Sequence, residues 1–529
     1  MFKLALLIGI YAYLIFGLGL LGILYKVYII STTLIFGLIF FYIYREKIKK
    51  ILGRYFAVLR KVHVCKDILR TANLLLITAL FVLVLQGIIN LVGALGPELG
   101  FDALWYHLTL PKIYLQNHSI FYIPGGLLYY SAIPKLTEML YIAGMTFGSE
   151  IFAKLIHYSF GILCLIALYG LSRKFLSKTL SLIVVVLFYS NLVIGWMSIT
   201  SYVDLARTFF ETMALWGLVE WQEKKQTKWL IVSAVMLGLA VSIKLLALES
   251  LLIFILLIIL KKPKKNIFKD LLIYCGFALA IPLPWLIFSY INTGSPVYPF
   301  FSNIYSITLN SHLINPLNLA DPISSIYIIF LPVALIFYKK LNPALKIVPL
   351  YSFLAVVIWF FTPQTGGGRF ILPYLPAFSL ITVAIISILK RKILRNSFIG
   401  LIIFFALFSL VYRGAANFKY IPVILGNQSK SQFLTNHLNF SFGDFYDTDG
   451  YFSKQIKPGD KVLLYGFHNL YYVDFPFIDS SYVKSGDTFN YVAVQEGSLP
   501  KKFKNWSLIY YNNKTKVGLY SIEGLKWIY

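Results

Sequence analysis

TANLLLITALFVLVLQGIINLVG (71–93) is followed at 101–115 by FDALWYHLTLPKIYL. A helix that crosses a bilayer needs about 20 apolar residues, and the first segment supplies them. The second segment places an aspartate, a histidine and a lysine among aromatic residues just after that helix. A charged group at the edge of the hydrocarbon is costly to keep, and it is by default a sign of function. The two segments therefore predict a membrane protein with functional residues at the end of a spanning helix.

Composition excludes a soluble globular protein. The chain has 529 residues, of which 58% are hydrophobic and 13% charged, with a mean hydropathy of +0.74. The formal charge of +26 does not indicate a nucleic-acid partner, because the basic residues fall in short clusters between apolar runs. Cys65, Cys164 and Cys275 lie far apart, so neither a disulfide framework nor a metal knuckle is expected. These features predict an all-α protein that crosses the membrane many times.

The same length criterion predicts about thirteen spanning helices along the chain. They are 3–25, 27–44, 71–93, 150–171, 179–197, 203–221, 229–244, 246–260, 270–291, 323–338, 347–362, 371–389 and 397–413. The segments 229–244 and 246–260 are either a tight hairpin or one broken helix. Basic residues beyond both ends, at 224–228 and in KKPKK (261–265), favour the hairpin.

The distribution of basic residues predicts the orientation. With a cytoplasmic N-terminus, the inner loops contain 27 of the 48 Lys and Arg residues of the chain. These loops are 45–70, 171–178, 222–228, 261–269, 339–346 and 390–395. The outer segment 292–322 contains no Lys or Arg, and the outer loop 94–149 contains two. This asymmetry follows the positive-inside rule and predicts a multi-pass protein of the plasma membrane.

Polar residues that the cytoplasmic loops do not explain gather on the outer face. They are Asp102, Asp204 near the start of the sixth helix, Lys244 at the end of the seventh, and Arg369 in QTGGGRF. Arg207 follows Asp204 by three residues and so lies on nearly the same helix face. A carboxylate can take a proton from an attacking hydroxyl, while Lys or Arg neutralises charge on a departing phosphate. The set therefore suits transfer of a group from a lipid phosphate.

Several segments in this order resemble those of a known superfamily. They are FDALWYHLTLPKIYL, YSAIPKLTEMLY, SYVDLARTFF, GLAVSIKLLAL, NTGSPVYP and GGGRFILPYLP. Together they resemble the GT-C superfamily of polyprenyl-phosphate-sugar-dependent glycosyltransferases, on the side of protein O-mannosyltransferases and aminoarabinose transferases. The resemblance covers roughly residues 71–413. It implies an inverting transfer of a sugar from a polyprenyl-phosphate-linked donor to a lipid, glycan or protein acceptor on the outer face.

The resemblance also implies roles for individual residues. Asp102 matches the loop carboxylate held to be the base, and Asp204 matches a second acidic position that in some members helps to bind a metal. A divalent ion, Mg²⁺ or Mn²⁺, is therefore a possible cofactor at Asp204. The O-mannosyltransferases typically carry an acidic pair in this loop, whereas Ala103 follows Asp102 here.

Other polar and aromatic residues of the first outer loop are possible substrate contacts. They are Tyr106, His107, Lys112 and Glu138. No second histidine lies near His107, so that residue is expected to pack or to contact substrate and not to bind metal. Glu138 and Lys135 lie in an amphipathic stretch, which favours a surface pair at the membrane plane over a catalytic role.

Each candidate site residue also has a structural interpretation. Asp102 could cap a helix that begins at 103, and Asp204 could cap the sixth helix or pair with Arg207. Arg369 and Lys244 could anchor helix ends to lipid headgroups. The alternative functions are a lipid-linked glycan polymerase or ligase and a transporter or flippase. A transporter is disfavoured because the chain shows no internal repeat and its charges gather at one face.

The part of the chain from 414 onward has a different composition. It lacks long apolar runs and contains strand-like segments: KVLLYGF (461–467), YVAVQ (491–495), and WSLIYYNNKTKVGLYSI, which predicts two strands about a polar turn. The expected organisation is two helices and a basic loop (1–70), a catalytic membrane domain (71–413) and a small extracytoplasmic α/β domain (414–529).

Overall fold

The structure is a computed structural model that describes residues 1–60, 74–125, 128–260, 266–302, 323–362, 364–439, 444–522 and 527–529. Most of the described residues are helical, and a small sheet lies near the C-terminus. The predicted combination of apolar helices with a C-terminal α/β part is confirmed. Two features of the sequence analysis lie outside the described residues, namely the basic segment 261–265 and the domain boundary at residue 70.

Each of the thirteen predicted segments contains a helix in the structure. The helices up to residue 417 are α1 (Phe2–Leu20), α2 (Lys26–Arg60), α3 (Leu74–Leu95), α4 (Thr109–Asn117), α5 (Leu136–Phe147), α6 (Glu150–Ser172), α7 (Lys178–Tyr189), α8 (Leu192–Met197), α9 (Asp204–Lys224), α10 (Thr227–Ile243), α11 (Leu248–Ile259), α12 (Ile267–Ala280), α13 (Leu283–Thr293), α14 (Ile326–Ile336), α15 (Ile347–Phe361), α16 (Leu375–Ser387) and α17 (Lys392–Asn417). The segments 179–197 and 270–291 are each divided into two helices.

Not all of these helices are long enough to cross a membrane. By length and composition alone, five qualify in the described residues: α1, the first part of α2 (Lys26–Glu46), α3, α6, and α17 with its continuation to Ile424. Helices α12 and α13 would form a sixth span together, with a bend of 60° between them. Six further apolar helices have 10–17 residues each. The helices fit a multi-pass membrane protein, while the count of about thirteen spans stays a prediction.

Helix α9 lies at the centre of the helical part, where it packs against α6 and α10 and is buried along most of its length. Arg207 Nε donates to Glu211 Oε1 at 2.6 Å, one turn further along the same helix. Ser250 Oγ of α11 donates to the other carboxylate oxygen of Glu211 at 2.6 Å. A charge among apolar helices is strongly destabilising unless it is paired. Arg207 therefore pairs with Glu211 inside the core, and not with Asp204 as the alternative structural interpretation had it.

The 94–149 loop is folded onto the helix ends. It begins with a π-helical turn (Ala103–His107) and continues through α4 and α5. Lys154 of α6, which is fully buried, donates from Nζ to the carbonyl oxygens of Gly93 and Gly96 at 2.9 and 2.6 Å. The last carbonyls of a helix have no partner within that helix. Lys154 thereby fixes the point at which α3 ends and the loop begins.

Among its described residues, the C-terminal part contains five short helices or helical turns and seven strands. The strands are β1 (Val462–Tyr465), β2 (Phe477–Asp479), β3 (Thr488–Phe489), β4 (Tyr491–Gln495), β5 (Ser507–Asn512), β6 (Val517–Ser521) and β7 (Trp527–Ile528). Five form a mixed sheet in the order β2-β1-β4-β6-β5, in which β1 is parallel to both neighbours and β6 is antiparallel to both. The strands predicted at 461–467, 491–495 and about the polar turn are confirmed.

The sheet docks onto the helical part through a buried carboxylate. Glu150, the first residue of α6, is 1% exposed. The Tyr471 hydroxyl donates to its Oε2 at 3.3 Å, and the Tyr472 hydroxyl lies 3.3 Å from its Oε1. Lys430 pairs with Oε1 at 2.5 Å. Because an ionised carboxylate is a strong acceptor, Glu150 ties the sheet and the preceding helical segment to the start of α6.

Glu150→Gln is expected to loosen this docking, because the neutral amide weakens the bonds from both tyrosines and removes the ion pair with Lys430. We expect trypsin to cleave the segment between α17 and the sheet about tenfold faster, the effect of losing one charge-assisted hydrogen bond. Limited proteolysis of the purified protein in detergent measures the rate. Glu496→Gln makes the same charge change at an exposed position and is the control; equal rates in the two variants would contradict the role of Glu150.

Candidate functional site

A cavity of about 840 Å³ lies between the start of the 94–149 loop and the ends of several helices. Its wall combines aromatic rings with charged groups, as in most ligand pockets. The ionisable lining residues include Glu98, Asp102, His107, Glu138, Lys244, Glu249, Arg369, Arg413, Lys419 and His437. Of the residues singled out from the sequence, those that line this cavity are Asp102, Tyr106, His107, Glu138, Lys244 and Arg369. Those outside its lining are Lys112, Asp204 and Arg207.

Asp102 and Arg369 form an ion pair across the cavity. Arg369 Nη1 donates to Asp102 Oδ2 at 2.6 Å. Asp102 stands directly before the π-helical turn, but its side chain makes no capping hydrogen bond. Its backbone N–H donates to the Tyr202 hydroxyl at 3.2 Å. The Asp102 carboxylate is therefore held by a cation and does not cap a helix.

Arg369 is positioned by its backbone and by two rings. Gly367 has φ 55°, a conformation that glycine adopts without steric cost, and it turns the chain just before Arg369. The guanidinium carbon lies 4.8 Å from the centre of the Tyr202 ring and 5.7 Å from that of Trp196. Burial disfavours the charge, but the nearby Asp102 and Asp204 carboxylates raise the pKa of Arg369 above its usual value. The arginine is a fixed positive charge in the cavity wall.

Lys244 and Asp204 form a second ion pair. Lys244 is an extended residue, with φ −147° and ψ 120°, at the break between α10 and the turn Leu245–Ala247. Its Nζ donates to Asp204 Oδ1 at 2.7 Å. Asp204 is 1% exposed, and Val203, not Asp204, caps α9. The alternative interpretation of Asp204 as the cap of α9 is therefore wrong. Its pairing with Lys244 holds the Lys244 side chain at the cavity wall.

A third polar group consists of His107 and Glu138, which line the cavity, and the neighbouring Lys135. His107 Nδ1 lies 2.7 Å from Glu138 Oε1, and Lys135 Nζ lies 4.0 Å from the same oxygen. Lys135 and Glu138 are each 1% exposed, so the expectation of a surface pair is wrong. Burial lowers the pKa of Lys135 to about 8 against the opposing effect of Glu138. The Lys135 ammonium lies 5.4 Å from the centre of the Tyr106 ring and has no hydrogen-bond acceptor among the described residues.

Tyr106 and Lys112 have different surroundings. The Tyr106 ring stacks on that of Tyr130, with centroids 4.1 Å apart and planes 17° apart, and both rings line the cavity. Lys112 instead points to the C-terminal part, where its Nζ donates to the carbonyl oxygens of Tyr471, at 2.8 Å, and Val473. Burial lowers the pKa of Lys112 to about 8. The structure thus brings Tyr106, and not Lys112, to the cavity.

Two residues that the sequence analysis passed over hold the loops of the site. Glu98 accepts from the backbone N–H of Gly100 at 2.7 Å and from that of Ser201 at 2.6 Å, so it joins the 94–149 loop to the segment before α9. His157 donates from Nδ1 to the Thr200 carbonyl at 2.7 Å and accepts from the Leu205 N–H at 3.0 Å. The sequence signal that could have identified Glu98 and His157 is an ionisable residue at the edge of, or within, an apolar run.

The same signal marks three further lining residues. Glu249 lies in an apolar run, and its carboxylate accepts from the Thr362 hydroxyl at 3.2 Å. Arg413 and Lys419 lie at the end of the last apolar run. Glu249 and Arg413 lie in segments that were interpreted only as helices, and Lys419 lies in the part assigned to the α/β domain.

Comparisons with known proteins agree on the fold. The family model for dolichyl-phosphate-mannose-protein mannosyltransferases matches residues 137–288. The crystal structure of ArnT from Cupriavidus metallidurans bound to undecaprenyl phosphate superposes with a TM-score of 0.59 at 11% identity, over 85% of this chain and 98% of that one. The apo structure gives 0.54 at 12% identity, over 84% and 97%.

A more distant structure is that of the archaeal oligosaccharyltransferase AglB from Archaeoglobus fulgidus in complex with an inhibitory peptide and a dolichol-phosphate. It is 13% identical over 84% of this chain and 74% of that one, with a TM-score of 0.44, too low to indicate the same fold. No curated protein sequence matches the chain. The family match over residues 137–288 and the fold shared with ArnT confirm the resemblance of the motifs to the GT-C superfamily of membrane glycosyltransferases.

Proposed function

We propose that the chain transfers a sugar from a polyprenyl-phosphate-linked donor to a lipid, glycan or protein acceptor at the outer face of the plasma membrane. One observation carries the proposal: a single cavity holds a carboxylate, Asp102, within hydrogen-bond distance of a fixed cation, Arg369, beside a second cation, Lys244. The fold shared with ArnT, which has been crystallised with undecaprenyl phosphate, supports a lipid-phosphate donor.

Asp102 is the proposed base. As the acceptor hydroxyl oxygen bonds to the anomeric carbon, its proton passes to the Asp102 carboxylate. The bond between that carbon and the phosphate oxygen breaks, and the lipid phosphate leaves with the electron pair. Attack from the face opposite the phosphate inverts the anomeric centre. The acceptor therefore approaches from the side of Asp102, and the phosphate leaves towards the cations.

Arg369 is suited to stabilise the leaving phosphate while it holds Asp102. A guanidinium presents five N–H donors in a planar fork, so that one edge can bind a carboxylate and another a phosphate. Its interaction with Asp102 also fixes the position of that carboxylate in the cavity. The stacking over Tyr202 restricts the guanidinium plane, which favours a preorganised site.

Lys244 supplies a second positive charge at the cavity wall. Its ammonium has three donors, of which one is directed at Asp204. Asp204 is buried behind it and acts in this proposal as a positioning residue, because it fixes the ammonium at the helix break. Arg207 is separated from this group by its pairing with Glu211, so we assign it a structural role.

The sidedness of the proposal rests on the distribution of Lys and Arg. The predicted inner loops contain most of the basic residues, which places the cavity, the 94–149 loop and the C-terminal domain outside the cell and the N-terminus inside. A donor whose lipid tail lies in the outer leaflet would then present its phosphate at the depth of the cavity.

A divalent ion does not fit the residues around Asp204. Mg²⁺ and Mn²⁺ prefer several oxygen ligands. One oxygen of Asp204 already accepts from the Lys244 ammonium, and the described ranges contain no group of three His, Cys, Asp or Glu side chains that could hold a metal. No step of the proposed reaction therefore uses a metal ion.

Asp102→Asn keeps the shape of the side chain and removes the base. We expect at least a 100-fold loss, in order of magnitude, of sugar release from radiolabelled polyprenyl-phosphate monosaccharides by the purified protein in vesicles, with donor binding retained. Asp460→Asn makes the same change far from the cavity and should turn over like the wild type. Equal turnover in Asp102→Asn would remove this residue from the mechanism. No turnover by the wild type with any monosaccharide donor would favour a glycan ligase or a transporter.

Arg369→Gln tests the ion pair. It leaves the Asp102 carboxylate without its cation, so we expect a loss of stability of about 1 to 3 kcal/mol, seen as a lower apparent Tm in detergent. The double variant Asp102→Asn with Arg369→Gln should regain part of this loss, because neither amide then carries an unpaired charge. Effects that simply add would contradict direct pairing of the two side chains.

Removal of divalent ions tests the exclusion of a metal. Dialysis of the purified protein against EDTA is expected to leave sugar release unchanged, since the proposed base and phosphate ligands are side chains alone. Sugar release is measured before dialysis, after it, and after addition of MgCl₂ or MnCl₂. Activity that is lost on dialysis and restored by either salt would show that a metal takes part.

A further inference from the structure

A second group of cationic side chains lines the cavity at the end of α17. It consists of Arg413 near the end of that helix, Lys419 in the following turn, and His437 at the end of the short helix Lys430–His437. We call these three residues the α17 cluster. Asn417 and Tyr420 lie between them in the cavity wall. The α17 cluster therefore presents two basic side chains and one imidazole to the cavity, with the Asn417 amide between them.

Arg413 is held in place by the backbone of α8. Its Nη2 donates to the Gly195 carbonyl at 3.1 Å and to Asn417 Oδ1 at 3.2 Å. A Cβ atom at position 195 would lie 2.8 Å from Arg413 Nε and 2.9 Å from its Cδ. Glycine at this position therefore lets the arginine lie flat against α8. The side chain is placed by specific packing, and it does not extend to the membrane surface as a lipid anchor would.

The α17 cluster lacks the carboxylates that neutralise the other cations. Arg369 pairs with Asp102 and Lys244 pairs with Asp204, whereas the structure records no ion pair for Arg413 or Lys419 in the ranges it describes. Arg413 is only 6% exposed, and its Nε has no hydrogen-bond partner there. Partial burial and the charge of Lys419 lower the pKa of His437. The buried Nε–H of Arg413 is thus an unsatisfied donor, which an oxygen of an anion in the cavity could satisfy.

Arg413 and Arg369 contact successive residues of α8. Arg413 bonds to the Gly195 carbonyl, and the Arg369 guanidinium lies over the ring of the next residue, Trp196. The cavity thus has two cationic positions that contact successive α8 residues, and of the two only Arg369 has a carboxylate partner among the described residues. A lipid-monophosphate donor brings only one phosphate to the reacting centre. The second position is therefore available to another anion.

We propose that the α17 cluster is an anion subsite that holds a phosphate or carboxylate group of the acceptor. The assignment rests on the proposed function, in which the donor phosphate lies beside Arg369 and Lys244. A planar guanidinium binds two oxygens of such a group at once, and Lys419 adds a second charge. The acceptor is then an anionic molecule, such as a phosphorylated lipid or an acidic glycan, whose charge orients its hydroxyl towards Asp102.

Binding of inorganic pyrophosphate tests the subsite without requiring turnover. The full-length protein in phosphatidylcholine nanodiscs is titrated with pyrophosphate, with thermal unfolding as the readout, in the presence of saturating polyprenyl phosphate. We expect pyrophosphate to raise the Tm of the wild type under these conditions. Its apparent Kd should be about tenfold weaker in Arg413→Gln and in Lys419→Gln, while the affinity for polyprenyl phosphate is unchanged.

Two further variants separate charge from folding defects. Gly195→Ala displaces the Arg413 side chain without a change of charge and should also weaken pyrophosphate binding. Lys454→Gln removes an exposed positive charge of the C-terminal part and should bind as the wild type does. Lys419 is half-buried, so its substitution keeps the test valid if Arg413→Gln does not fold.

Two results would overturn the proposal. If saturating polyprenyl phosphate abolishes pyrophosphate binding, and Arg413→Gln and Lys419→Gln weaken the affinity for polyprenyl phosphate, the α17 cluster belongs to the donor. If the variants bind pyrophosphate as the wild type does, the cluster is not an anion site. Failure of the proposed reaction is seen separately, as the absence of sugar release by the wild type with any donor, because the pyrophosphate titration requires no turnover.

Discussion

A charge that is removed from water must find a partner, and this constraint organises the centre of the molecule. The Asp102–Arg369 pair, at 2.6 Å, joins the start of the 94–149 loop to the segment after α15. The Asp204–Lys244 pair, at 2.7 Å, joins the start of α9 to the break after α10. In each pair the residues are far apart in sequence, so pairing can occur only when the helices are correctly assembled. The two ion pairs thereby couple the geometry of the site to the packing of the bundle.

Backbone carbonyls and N–H groups at the helix ends impose a second constraint, because they have no partners within their own helices. Buried side chains supply these partners: Lys154 for the end of α3, His157 for the segment before α9, and Glu98 for two loops at once. Ionisable side chains are used here because each can bind two or more backbone groups. The loops that carry Asp102 and Tyr202 are consequently fixed by the body of the bundle and are not free surface loops.

Sequence patterns predicted the helices and strands better than they predicted which side chains pair with each other. Apolar runs gave a helix in every predicted segment, and alternating patterns gave the strands of the C-terminal sheet. Asp102, Lys244 and Arg369 were identified because a charge beside an apolar run is rare and costly. Spacing failed for Arg207, since a residue at i+3 lies only near the same face, and the glutamate at i+4 with Ser250 provides a buried partner. Amphipathic spacing also failed for Lys135 and Glu138, because the π-helical turn packs against them through Tyr106 and His107.

Arg369 and Lys244 are paired with carboxylates, whereas Arg413 has no carboxylate partner in the described residues, and this difference bears on how the proposed base works. A base must be ionised before the reaction and must accept a proton during it, and a neighbouring cation favours the first but opposes the second. In the proposed reaction Arg369 contacts the base directly, so a phosphate that binds the same guanidinium would compete with Asp102 for its donors. Arg413, with no carboxylate of its own in the part of the chain that the structure describes, is held instead by the Gly195 carbonyl and by Asn417. An anion bound there would orient the acceptor without displacing Asp102 from Arg369, so the two proposals assign the reacting phosphate and the charge of the acceptor to different cations.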